Sequence, residues 1–506
     1  MQSLFTDTRI LDKAARERYG LSEELMMENA AAALEAALLR TEARHPVILC
    51  GGGNNGADGY ALARRLAAFN LEKGMPLMPV IVEAAAPKSD LCKIQAERAK
   101  KCGVECLSAD VVLGKAGEKN SLPDGTDVIV DCIFGSGFRG DLDEKTARLC
   151  AMANSFPAVR IACDLPTGLR EDGTVATGAF SARYTVTMGA LKCSLYSDGA
   201  KDFVGQVCCE NLGISRFLFE SADSEDAPKA AAFLLEAGDL KLPHRARQKV
   251  NKGSFGHVAV ASGEKTGASC IAGEAALHFG AGLATLVRLG KGFEKEALPQ
   301  ITPELMTSGN FPANTTAVAV GMGLGRRNED IQPYMDWLGA HGDIPCVVDA
   351  DACFFSGLKA FLQVHGEKTV LTPHPKEFQF LLQNLGFGTY TLDDCVNRRP
   401  ELIELFCRTF PQCVLLVKGA NPMLGCFDGK KFLLFVNPLG TNALAKAGSG
   451  DVLAGLIAAL LAQGFIPLEA ALQASLAHGL ASRAFKNDYS LTPLSLIDAV
   501  AGLSSD

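Results

Sequence analysis

Short apolar runs that stop at a glycine or polar turn and give way to a helical stretch recur along this chain. No other feature constrains its fold as tightly. Pro46 to Cys50 stops at Gly51-Gly52-Gly53-Asn54-Asn55-Gly56-Ala57-Asp58-Gly59, and a helix is expected over Tyr60 to Phe69. Val128 to Asp131 opens into Cys132 to Gly140, and Val159 to Cys163 ends at Asp164-Leu165-Pro166-Thr167-Gly168. The second half repeats the pattern with His257 to Ala261, Ala317 to Val320, Cys346 to Val348, Thr369 to Leu371 and Val414 to Val417. Unbroken apolar runs of this length read as strands buried on both faces, and their alternation with helices predicts α/β domains with parallel sheets. In an open α/β sheet the ligand sits beyond the carboxyl ends of the strands, where the polar clusters of this chain fall.

With 506 residues the chain exceeds a single core. The acidic, apolar-poor stretch Glu220 to Pro228 reads as a linker between domains 1–222 and 223–506. A hydrophobic content of 48% with 21% charged residues describes a well-buried globular enzyme, and a net charge of −8 leaves no cationic excess for nucleic acid. No apolar run is long enough for a bilayer, so no membrane partner is expected. Met1 to Tyr19 is charged, without the apolar core of a signal peptide, which predicts a cytoplasmic protein. The 17 cysteines include no Cys-x2-Cys pair, so buried reduced thiols are expected in place of a metal site. A homo-oligomer is expected.

Charged and Ala-rich helices are expected over Asp12 to Tyr19 and Leu25 to Leu39, the second carrying Glu28 and Asn29. In the second half, Ala447-Gly448-Ser449-Gly450 runs into Asp451 and the apolar stretch Val452 to Ala462, a buried helix. The glycines let backbone approach an anion, and the helix N-terminus points N–H groups at it. Asp451 is expected in the first turn, where the helix dipole would keep it ionised. Pro373 and Pro375 fix the loop that carries His374.

These motifs carry two resemblances. Residues 53–59, Asp131 to Gly137, Asp164 to Gly168 and Tyr184 to Lys192 resemble the NAD(P)H-hydrate epimerase family, a Rossmann-like fold. That resemblance implies a potassium ion on Asn55, Asp131 and Thr167. It implies substrate contacts from Asn54, Asn55, Gly56, Ala57 and Asp58 and from Gly135, Ser136, Gly137, Phe138, Arg139, Gly140 and Asp141. Asp164 would meet the reacting part of the substrate. An all-oxygen donor set suits a hard cation. Thr167 stands where the family has Ser and keeps the oxygen. Ala57 stands where it usually has Gly, which puts a methyl group where the turn could require φ > 0.

Lys252 to Gly256, Thr372 to Pro375, Lys418 to Ala420 and Ala447 to Gly455 resemble, in that order, the ribokinase-like NAD(P)H-hydrate dehydratase family. Here the implied nucleotide contacts are Lys418, Gly419, Ala420, Asn421, Pro422, Met423 and Gly450. Ala268, Gly323, His374 and Asp451 would meet the hydrate. The implied substrates are NADHX and NADPHX with ADP or ATP and its Mg2+. Asp451 would act as general base while the C6 hydroxyl becomes a phosphate ester, a better leaving group. Asp164 would help interconvert the R and S hydrates. A different reading, a ribokinase-like kinase of a small alcohol with a non-catalytic N-terminal module, uses the same glycine turn and Asp451.

Overall fold

A computed structural model of the chain describes residues 1–42, 44–67, 69, 77–114, 121–221, 229–290 and 301–504. It divides into two compact units, Ser3–Ala231 and Ala232–Asp506, the latter with Met1–Gln2 attached. Residues 222–228, most of the expected linker, lie outside the described residues.

In the N-terminal unit two helices, α1 (Arg9–Tyr19) and α2 (Glu23–Leu39), precede the sheet. The side chain of Ser22 caps α2 by accepting the amide of Leu25. Then come β1 (Pro46–Cys50), α3 (Asn54–Leu66), β2 (Val80–Glu83), α4 (Asp90–Lys101), β3 (Glu105–Ser108), β4 (Val128–Cys132), β5 (Val159–Cys163), β6 (Tyr184–Met188) and β7 (Gln206–Glu210). The seven strands lie in the order β3-β2-β1-β4-β5-β6-β7, all parallel. Every residue of β1 and β4 is buried, as unbroken apolar runs demand. The order reverses between β1 and β4, the place where an open sheet leaves a crevice.

The C-terminal unit contains β8 (Ala232–Leu234), β9 (His257–Ala261), α5 (Thr266–His278), β10 (Leu283–Val287), β11 (Met306–Ser308), β12 (Ala317–Val320), β13 (Cys346–Val348), β14 (Thr369–Leu371), α6 (Pro375–Leu385), β15 (Val414–Val417), β16 (Met423–Phe427), β17 (Phe432–Val436), α7 (Ser449–Ala462) and α8 (Pro467–Ser482). Its strands run β11-β10-β9-β12-β13-β14-β15-β16-β17-β8. The portion from β11 to β15 is parallel, and β15, β16 and β17 turn back on one another as antiparallel neighbours. From Val452 to Ala462 every residue of α7 is buried, so the helix is apolar on all sides. It lies tightly on α5 because Gly455 lacks a side chain; a Cβ there would stand 2.2 Å from the carbonyl oxygen of Ala272.

All 17 cysteines are free, and most are buried. No helix among the described residues is long and apolar enough to cross a membrane.

Candidate active sites

At the carboxyl edge of the N-terminal sheet lies a cavity of about 600 Å³, lined among others by Asn54, Asn55, Asp58, Asp164 and Lys192. The first helix of the βαβ unit opens earlier than the sequence pattern implied. Gly53 is its N-cap, so Asn54 and Asn55 form the first turn of α3, whose amides have no partner within the helix. Gly56 is required at this point, since a Cβ would come within 1.9 Å of the carbonyl oxygen of Gly51. Ala57 corrects an expectation. It is fully buried inside α3 and is not among the non-glycine residues with positive φ, so its methyl group strains nothing.

Asp164, just past β5, has φ 67°, a left-handed conformation that a residue with a Cβ adopts at a cost of roughly 1 kcal/mol. Its carboxylate holds it there. Oδ1 accepts from Lys192 Nζ at 2.6 Å and Thr187 Oγ1 at 3.2 Å, and Oδ2 accepts from the amide of Ser136 at 3.3 Å. The chain passes closely at Gly135, where a Cβ would lie 3.2 Å from Asp164 Oδ2 and 3.3 Å from Asn55 Oδ1 and would press both side chains back. Asp58 is driven far above the carboxylate range by burial and by the charge of Asp164. Gly135, Ser136, Gly137 and Phe138 line the cavity. Arg139, Gly140 and Asp141 do not; Arg139 pairs with Glu171, and Asp141 with Arg170 at 2.6 Å.

The potassium donors can be tested against this geometry. Asp131 is fully buried, accepts the amide and hydroxyl of Thr167, each at 2.7 Å, and the amide of Ile133 at 3.1 Å. Burial still pushes its carboxyl up to about 6. The amide of Asn55 is different, because its buried Nδ2 has no hydrogen-bond partner among the described residues. That end of the site is therefore built to meet something from outside the chain: an acceptor in this rotamer, a cation if the amide turns over. The oxygen donors fit a hard cation.

In the C-terminal unit the chemistry gathers at the ends of β13, β14 and β15 and the head of α7. Lys418 Nζ bonds Asp349 Oδ1 at 2.6 Å, with the Asp349 side chain 2% exposed. A Cβ on Gly450 would stand 3.1 Å from that ammonium and 3.8 Å from Asp349 Oδ2, so the pair lies against the first turn of α7. Gly448, the N-cap, has φ 92°. His478 is held neutral, with burial pushing it down to about 4, and its Nε2 donates to the carbonyl of Ser449 at 2.9 Å. Asp451 also departs from expectation. Burial, followed by the nearby Asp349 charge, raises it to about 7, and this outweighs the helix dipole. A carboxylate poised near neutrality suits a general base.

His374 caps α6: its Nδ1 accepts the amides of Lys376 and Glu377, and its Nε2 lies 3.1 Å from Glu377 Oε1. Gly323, with φ 60°, packs against Ala268, 3.1 Å from a Cβ at 323 to the methyl group of 268. Gly419 and Ala420 are exposed after β15. The Asn421 carbonyl receives Arg399 and that of Pro422 receives the Asn437 amide, while Met423 is buried in β16 opposite Val417. The nucleotide segment thus has an open half and a half built into the β15–β16 hairpin. Sequence reasoning did not assign Asp12, Lys192 or Asp349. Asp349 stands past a strand end just as Asp164 does, and that position was the available signal.

The chain matches the family model described as YjeF-related protein N-terminus over residues 22–194 and that of NAD(P)H-hydrate dehydratase over residues 258–501. It is 41% identical over 508 residues to the bifunctional NAD(P)H-hydrate repair enzyme Nnr of Helicobacter pylori, covering 99% of this chain and 100% of that one. The Nnr of Pyrobaculum aerophilum is 32% identical, covering 92% and 90%. Among solved structures it is similar to the ADP/ATP-dependent NAD(P)H-hydrate dehydratase of Bacillus subtilis co-crystallised with ATP/Mg2+, at 24% identity and TM-score 0.42, over 52% of this chain and 93% of that one. With a strand-end site in each unit and a full-length relative of this similarity, the chain belongs to the family of bifunctional NAD(P)H-hydrate repair enzymes.

Proposed function

We propose that the N-terminal cavity interconverts the R and S epimers of NADHX and NADPHX, and that the site at the head of α7 returns the S hydrate to NADH or NADPH. In the second site Asp451 takes the proton of the C6 hydroxyl as that oxygen attacks the terminal phosphoryl group of ADP. Lys418, placed by Asp349, and the amides of Gly448 to Gly450 receive the charge of the phosphoryl group. Elimination of phosphate then restores the ring, with AMP as the other product. Mg2+ bound with the nucleotide would neutralise its phosphates. The proton-poised Asp451 beside the Lys418–Asp349 pair is the observation that carries this reading.

In the first site Asp164 stands beside the reacting carbon, and the amides of Asn54 and Asn55 face the pyrophosphate. Asn55, Asp131 and Thr167 would hold a potassium ion, which would steady the turn ahead of the substrate. Buried free thiols fit a reducing, cytoplasmic setting.

Incubation with Mg2+, ADP and the S hydrate tests the second site. Return of the near-ultraviolet absorbance of reduced nicotinamide is expected, and a stable phosphorylated product would instead identify a kinase. Replacing ADP by ATP identifies the donor. For the first site, Asp164→Ala is expected to reduce R-hydrate repair to the spontaneous rate of epimerisation.

A further inference from the structure

We propose that Asp12 is a second proton-carrying catalytic residue of the N-terminal cavity, acting on the C6 hydroxyl from the wall formed by α1. The inference rests on the epimerase reading above and deepens it. Thr8, Asp12 and Arg16 are spaced four apart, so the N-cap and two residues of α1 present one face, and all three line the cavity. Among the described residues no side chain hydrogen-bonds or ion-pairs with the Asp12 carboxyl. Its neighbours are all engaged: Asp164 with Lys192, Asp7 with Arg9, Glu23 with Arg16 and Asp58 with the thiol of Cys163. Asp12 is left facing the space where a substrate would sit.

Its surroundings set its charge state. Burial pushes the carboxyl up to about 6; Lys192 and Arg16 pull it down, and Asp164 and Asp7 push it up. Asp58, on α3, is the other acid that feels its charge. Asp12 can therefore hold or release a proton near neutrality, while Asp164 stays tied to the ammonium of Lys192. Two acids in unlike surroundings are what separate acid and base roles in one site.

The chemistry needs both. In one epimer the hydroxyl leaves from one face of the ring, and in the other it returns on the opposite face. Protonation of the C6 oxygen by a carboxyl group breaks the C6–O bond, the ring nitrogen's lone pair forms C6=N, and water departs. Water then adds to the other face of C6, the C=N pair returns to nitrogen, and the proton lost by that water goes to a carboxylate. One water leaves and one enters, and no oxidant or reductant is involved. Asp12, on α1, and Asp164, just past β5, line the cavity from different elements, and each is assigned to one face of the ring.

The test uses the full chain with R hydrate, ADP and Mg2+, and S hydrate in parallel. Asp12→Ala and Asp12→Asn are expected to slow R-hydrate repair above the spontaneous rate by about 100-fold, with S-hydrate dehydration unchanged. Formate, a small carboxylic acid, is expected to restore the rate of Asp12→Ala and to leave that of wild type alone. A loss below about ten-fold in both variants, or a larger loss that formate does not relieve, overturns the assignment. Asp164→Ala separates the two levels. If it leaves R-hydrate repair intact, the epimerase reading itself falls; if it abolishes repair while the Asp12 variants do not, only Asp12 is wrongly assigned.

Discussion

Asp451 shows how a single residue can be suited to chemistry at a cost to folding. Its carboxyl is raised to about 7, chiefly by burial, so below that pH it carries the proton it must first lose. The rate of S-hydrate dehydration should accordingly climb as pH rises through about 7, and Asp451→Asn should lower kcat by about 100-fold or more. Stability moves the other way. A folded-state pKa above the unfolded one favours the fold fully at low pH and loses that contribution as pH rises through the folded value. Asp451→Asn should therefore melt at a higher temperature than wild type at pH 8 and at the same temperature at pH 4, which calorimetry can read. The Lys418–Asp349 pair behaves differently, because both charges are taken out of water together. Lys418→Met leaves Asp349 buried alone and should cost about 3 kcal/mol in urea unfolding, much of it regained when Asp349→Asn is added.

Among the elements, the βα junctions were the most legible part of the sequence. An apolar run and a glycine turn both leave local marks, and β1, β4, β5, β9, β12, β13, β14 and β15 all formed where those marks stood. The head of α3 was less so, since Asn54, Asn55 and Gly56 have loop-like composition, and only the packing of Gly56 on Gly51 makes a helical turn there. The β16–β17 hairpin has a turn signal of its own, Asp428-Gly429, but no helix follows it, and the hairpin went unread. Pairings such as Lys418 with Asp349, 69 positions apart, have no local signature at all. Two substitutions test α3. Gly56→Ala should displace the helix and abolish R-hydrate repair while S-hydrate dehydration continues. Ala57→Gly should leave repair unchanged and lower stability by about 0.5–1 kcal/mol, because a helix interior gains nothing from the added freedom of glycine. At the other end of the chain, Gly455→Val would force α7 away from the Ala272 carbonyl, and slower dehydration should accompany a lower melting temperature.

For the molecule as a whole, each unit encloses its own core and builds its own site from its own sheet edge. Asp164→Ala and Asp451→Asn therefore disable different steps. Mixed together, the two variant proteins should repair R hydrate, because a small product released by one can be taken up by the other, whereas Asp164→Ala alone should fall to the rate of spontaneous epimerisation and Asp451→Asn alone to its residual dehydration, about 100-fold or more below wild type. The thiols give the same division a second, independent readout. Cys132 and Cys163 are the last residues of β4 and β5, Cys346 is the first of β13 and Cys413 stands directly ahead of β15, and burial holds Cys346 up at about 12, protonated and unreactive. An alkylating reagent can reach them only when the surrounding strands part, so the speed at which each is modified is a clock for the opening of its own sheet. The protein carries its unfolding reporters in place, and a ligand that steadies one unit should slow the clock of that unit alone.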